Sequence, residues 1–114
     1  MPAKDPRLYL IHIRDCCGRI LDFTRGIEST WPGNPMVNDA VCRNLEIIGE
    51  AARRFDDAFR LAHPEIPWRA MTDVRNILIH AYDRVAAEIL FDIVRRDIPP
   101  LLESVNRLLG QDLS

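Results

Sequence analysis

The feature that most constrains this chain is a run of apolar residues spaced alternately by four and by three. Val41, Leu45, Ile48, Ala52, Phe55, Phe59 and Ala62 keep that spacing from 41 to 62. It is the period of an α-helix that buries one face. Tyr9, Ile13, Cys16, Ile20, Phe23 and Ile27 hold the same alternation earlier, and Leu10, Cys17 and Leu21 widen the stripe. No stretch alternates with period two, so no sheet is expected.

Turn-forming residues divide this pattern. A first helix is expected from Arg7 to about Thr30, ended by Trp31-Pro32-Gly33-Asn34-Pro35. Asn38 or Asp39 is the expected N-cap of a second helix running to about Ala62. His63-Pro64-Glu65-Ile66-Pro67-Trp68 is the next break, where Pro67 opens a third helix and Trp68 anchors the break on the core. That helix is expected to reach about Tyr82, with room for a kink near Met71, because Thr72-Asp73 is able to restart it. A fourth spans Val85 to about Arg96, with Val85, Ile89, Leu90, Ile93 and Val94 inward. Asp97-Ile98-Pro99-Pro100 is expected to stop the chain and restart it as a last helix ending at Gly110. The fold class is therefore all-α, an up-and-down four-helix bundle with a short additional C-terminal helix, in a single domain over residues 1–114.

Composition narrows the function. With 114 residues, 47% apolar and 28% charged, the chain suits one globular core without staples. No apolar run approaches membrane-spanning length, and Met1 to Pro6 carries no signal-peptide core, so a cytoplasmic location and no membrane partner are expected. Cys16, Cys17 and Cys42 lack metal-ligand spacing and read as small buried side chains. There is no glycine-rich phosphate loop and no serine nucleophile elbow. No cofactor and no metal site are expected. The net charge of −2 does not announce a nucleic-acid binder. The basic residues are nearly all arginine, which suits bidentate phosphate contact, although a GC-rich genome gives the same bias.

Chemistry concentrates in Arg75-Asn76-Ile77-Leu78-Ile79-His80-Ala81-Tyr82. Met71, Val74, Leu78 and Ala81 form the buried stripe of this segment, and its intervening apolar residues are expected to be buried too. At about 100° per residue, Arg75, Ile79 and Tyr82 fall near one face, while His80 lies about 140° from Arg75. One straight helix does not bring Arg75 and His80 to a single point. A bend near His80, or a second copy of the helix supplied by dimerisation, would. Taken alone, Arg75 would pair with Asp73 or with a glutamate of the second helix, His80 would be a hydrogen-bonded helix-end histidine, and Tyr82 a core-edge aromatic. Together they suit RNA cleavage without a metal. A histidine titrating near neutrality takes a proton from a ribose 2′-hydroxyl, and an arginine stabilises charge on the phosphorus oxygens.

The motif resembles that of HEPN domains, in particular the HepT toxins that pair with a minimal nucleotidyltransferase. The resemblance extends to Val41 through Ala52, which is similar to the second-helix signature of that family, to Ile66-Pro67-Trp68, and to Asp97-Ile98-Pro99-Pro100-Leu101. It implies a homodimeric four-helix bundle with a composite cleft and endoribonuclease activity toward an RNA substrate. It also implies a cognate nucleotidyltransferase antitoxin that transfers AMP to the motif tyrosine. On this sequence cleavage falls to Arg75 and His80, modification to Tyr82, and orientation of His80 or a phosphate to Asn76. Where that family commonly has a glycine before the motif, this chain has Thr72-Asp73, which sets a negative charge two residues from Arg75. The alternatives are a non-catalytic HEPN partner that binds the nucleotidyltransferase, and a plain helical interaction module.

Overall fold

The computed structural model describes residues 5–113, with the side chain of Tyr82 left out of the description. Helix α1 spans Pro6–Thr24. Asp5 caps it by accepting from the Arg7 N–H at 2.9 Å. It stops short of the expected Thr30. Arg25 turns extended and Gly26 adopts φ +79°, a left-handed conformation that side chains resist.

Helix α2 covers Pro35–Ala52, and its cap is Asn34, not Asn38 or Asp39. The Asn34 side chain accepts from the N–H groups of Met36 and Val37 at 3.0 and 3.3 Å. Pro35 suits the first helical position, where its missing N–H costs nothing. Asn38 instead donates to the carbonyl of Pro32 at 2.8 Å and braces the preceding turn.

The chain does not stay helical to Ala62. It breaks after Ala52, and a short helix α3, Asp57–Ala62, starts afresh. Asp56 is its cap, accepting from the Phe59 N–H at 2.8 Å, an interaction of about 1 kcal/mol. The apolar period survives the break because Phe55 still reaches the core. Its ring lies 5.0 Å from Phe59 and 4.8 Å from Trp68, with Tyr9 edge-on at 5.9 Å.

Helix α4, Trp68–Ala81, carries the motif without a break at Met71. The Thr72 hydroxyl is absorbed inside the helix, donating to the Trp68 carbonyl at 3.1 Å. Trp68 is buried and its indole N–H donates to the His63 carbonyl at 2.9 Å, anchoring the break as expected. A 3-10 turn, Tyr82–Arg84, follows.

The C-terminal part differs most from the expectation. Helix α5, Ala87–Asp92, passes through a wide π turn, Ile93–Asp97, directly into helix α6, Ile98–Leu109. No stop separates them, and Asp97 makes no side-chain cap. Pro99 and Pro100 have no N–H for the carbonyls of Arg95 and Arg96, and the wide turn lies where those bonds would be missing.

The helices pack side by side. Helix α2 lies between α4 and α1, α1 lies between α2 and α6, and α5 rests on α2 and on the 3-10 turn Trp31–Gly33. The result is an all-α, HEPN-like bundle. Leu10, Ile13, Ile20, Val41 and Val105 are fully buried at its centre, each contributing on the order of 1.5–3 kcal/mol. Arg7 ties the start of α1 to the end of α6, donating to the carbonyls of Leu109 at 2.9 Å and Gln111 at 3.3 Å. Among the described residues, no helix is long and apolar enough to cross a membrane.

Candidate functional site

The site is set by a close crossing of α2 and α4. A Cβ placed on Gly49 would overlap Arg75 Cβ and stand 2.6 Å from the Met71 carbonyl oxygen. Only glycine lets α4 lie this near. Glu50, the next residue, then reaches Arg75, with Oε2 3.0 Å from Nε. The buried Nε–H does not point along that line, so this is a charge contact and not a directed hydrogen bond. Arg75 Nη1 donates to Asn76 Oδ1 at 2.8 Å. Of the two partners open to Arg75 in the sequence, the helix-two glutamate is the one used. Asp73 lies 4.0 Å from Arg69 instead. The Asn76 side chain serves Arg75, and no side-chain hydrogen bond joins it to His80 among the described residues.

Glu50 is shared. It also meets Arg54 at 3.2 Å and Arg53 at 3.5 Å. Arg75, with its side chain only 20% exposed, lines a groove of about 500 Å³ together with Tyr9 and His12 of α1 and Arg43, Glu46 and Arg54 of or just after α2. A separate apolar hollow of about 280 Å³ lies between α4 and the wide turn, among Val74, Ile93 and Leu101, and contains neither Arg75 nor His80.

His80 is not part of the Arg75 groove. Its side chain stands exposed near the C-terminal end of α4, with no hydrogen bond or ion pair among the described residues. Because α4 is unbroken, the angular divergence of Arg75 and His80 read from the sequence persists in the folded chain. The backbone of Tyr82 opens the 3-10 turn just past α4, and the placement of its side chain lies outside the description. The expected burial of the intervening apolar residues is not met. Met71 and Leu78 are buried, but Ile77 is 55% and Ile79 42% exposed. Ile89, expected inward on α5, is 54% exposed. The single chain does not cover these faces.

Comparison with known proteins fixes the lineage. A family model described as "HepT-like: Ribonuclease HepT-like" matches residues 13–108. The chain belongs to the HepT-like ribonuclease family. "Probable ribonuclease HepT" of Thermococcus cleftensis is 41% identical over 101 residues, covering 88% of this chain and 92% of that protein. "Putative RNase MJ1380" of Methanocaldococcus jannaschii is 37% identical over 106 residues, 92% of this chain and 97% of its own length. "Putative RNase TTE0752" of Caldanaerobacter subterraneus subsp. tengcongensis is 34% identical over 110 residues, covering 96% and 98%. No solved structure matches.

This HepT-like ribonuclease thus presents Arg75 and His80 on different sides of one helix. Sequence reasoning did not single out Gly49, although a glycine inside a helix costs about 1 kcal/mol against alanine and so asks for a packing reason. Nor did it find Tyr9, His12 or Arg43 beside Arg75, because they lie on other helices and carry no local motif.

Proposed function

We propose that this chain is the toxin of a HEPN/nucleotidyltransferase toxin–antitoxin pair, a metal-independent endoribonuclease acting in the cytoplasm. In this reading His80 takes the proton of a ribose 2′-hydroxyl, and the resulting oxyanion attacks the adjacent phosphorus. The bond to the 5′-oxygen breaks and that oxygen takes up a proton. The products are a 2′,3′-cyclic phosphate and a free 5′-hydroxyl. Arg75 neutralises charge on the non-bridging oxygens, and its fixed, permanently charged guanidinium suits that task. DNA lacks the nucleophile, so the substrate is RNA.

The observation that carries this reading is the state of the two motif side chains in a chain of this family. Arg75 is anchored by Glu50 and Asn76 at a polar groove, while His80 is left exposed and unengaged among the described residues. A homodimer completes the site by setting His80 of one protomer against Arg75 of its partner. The exposed Ile77, Ile79 and Ile89 supply apolar surface for such a contact. Neutralisation is assigned to a cognate minimal nucleotidyltransferase antitoxin that transfers AMP to Tyr82.

The decisive experiment is cleavage of single-stranded RNA by the purified chain in EDTA, with end-group analysis. Wild type leaves cyclic-phosphate ends. His80→Ala and Arg75→Ala keep their helicity and lose cleavage. Full activity in His80→Ala would overturn the mechanism.

A further inference from the structure

The groove at Arg75 holds more than phosphate chemistry needs. Tyr9 and His12 of α1 form one wall, their rings meeting edge-on at 6.1 Å and 84°. Tyr9 is braced from behind by the buried ring of Phe55. His12 is exposed to the groove's solvent side. A ring held this way loses little freedom when another ring is laid against it.

The charges of the groove are unevenly engaged. Arg43, Arg54 and Arg75 stand against Glu46 and Glu50. Glu50 is taken up by Arg53, Arg54 and Arg75. Arg43 makes no ion pair among the described residues and is exposed. It is the open cation beside the aromatic wall, in a protein whose net charge is −2.

Unpaired RNA is recognised by this combination, bases laid on aromatic or histidine rings and phosphates held by arginine. A base inside a duplex has no free face to offer. We propose that the groove between α1, α2 and α4 is a binding subsite for one unpaired nucleotide next to the scissile bond. Its base lies against Tyr9 and His12, and its phosphate on Arg43. This inference rests on the ribonuclease reading above. Glu46, an acceptor in the same groove, suits a base amino group or a ribose hydroxyl.

The test separates binding from cleavage. In a His80→Ala background, fluorescence anisotropy measures the affinity for a labelled single-stranded oligoribonucleotide. Adding His12→Ala or Arg43→Ala is expected to weaken binding about ten-fold, the scale of one stacked base or one phosphate contact. The same oligonucleotide annealed to its complement should bind weakly and be insensitive to His12→Ala. In the otherwise wild-type chain, His12→Ala should raise KM with little change in kcat, and circular dichroism should show unchanged helicity, since both side chains are exposed. If wild type cleaves RNA but His12→Ala and Arg43→Ala bind and cleave as their parents do, the subsite is refuted and the ribonuclease reading stands. If wild type neither binds nor cleaves any RNA, both are refuted.

Discussion

Gly49 and Arg75 meet where α2 crosses α4, and a hydrogen atom is all that fits beneath Arg75 Cβ. That contact brings Glu50 to 3.0 Å from the guanidinium and fixes where Arg75 can reach.

Two effects compete in Gly49→Ala. Helix propensity favours alanine by up to about 1 kcal/mol. Overpacking costs about 1–3 kcal/mol, and here the obstacle includes the Met71 carbonyl, which cannot rotate away. Overpacking should win. Urea denaturation is expected to show a lower midpoint, with cleavage reduced in the folded fraction because α4 is pushed outward. A midpoint equal to or above wild type would show that the helices are not so tightly apposed.

If Arg75 and His80 act across a dimer, two dead variants should rescue each other. Mixing Arg75→Ala with His80→Ala gives heterodimers in which one site loses both residues and the other keeps both. Random exchange should restore about a quarter of wild-type cleavage. A site built within one chain would yield none, as would a protein that sediments as a monomer at micromolar concentration.

Tyr82 is expected to matter for control more than for cleavage. An unperturbed phenol has a pKa of about 10 and is a poor base at neutral pH. AMP attached there brings a negative phosphate that competes with RNA for arginine. Tyr82→Phe should retain at least part of the activity, gain no mass on incubation with the proposed nucleotidyltransferase partner and ATP, and stay active. Intact-mass spectrometry decides it. A silenced Tyr82→Phe carrying AMP would move the modification elsewhere, and a wild type inhibited without any mass gain would replace modification by tight binding.

The cysteines are expected to make the fold alkali-sensitive. Burial pushes the Cys17 thiol up to about 12 and raises Cys16 and Cys42 as well, with Arg19 opposing the rise at Cys16. An unfolded thiol near 9.0 loses its proton first, so stability is held below pH 9 and falls as the pH climbs past it. At pH 10 the loss from Cys17 alone is about 1 kcal/mol. Urea midpoints at pH 7 and 10 measure this. Native protein should also react slowly with iodoacetamide at pH 8, and fast alkylation of all three thiols without denaturant would contradict their burial.

The helical period made the bundle legible, since apolar stripes dictate which faces meet. It hid the break between α2 and α3, because Phe55 and Phe59 keep their places in the stripe while Asp56 recaps the backbone. The same blindness applied at Pro99-Pro100. Two prolines read as a stop, yet a helix that widens for one turn accommodates them. At the site, the angular gap between Arg75 and His80 followed from residue spacing alone. The Glu50 pairing was legible only as one of two options, because the choice depends on how near α4 lies to α2. Asn44, a polar residue of α2, is 7% exposed and donates to the Ala40 carbonyl at 2.8 Å, a detail set by neighbours that no local pattern names.

The grip of Arg7 on the carbonyls of Leu109 and Gln111 has a practical corollary. It brings the start of α1 and the end of α6 to the end of the bundle where Phe55 meets Trp68. His80 lies twelve residues along α4 from Trp68, about 18 Å away. Anything fused at the start of α1 or the end of α6 therefore departs from the end of the bundle opposite His80. A circular permutant that links residues 5 and 112 and opens the chain at the exposed turn around Gly26 would keep every helix of the crossing intact.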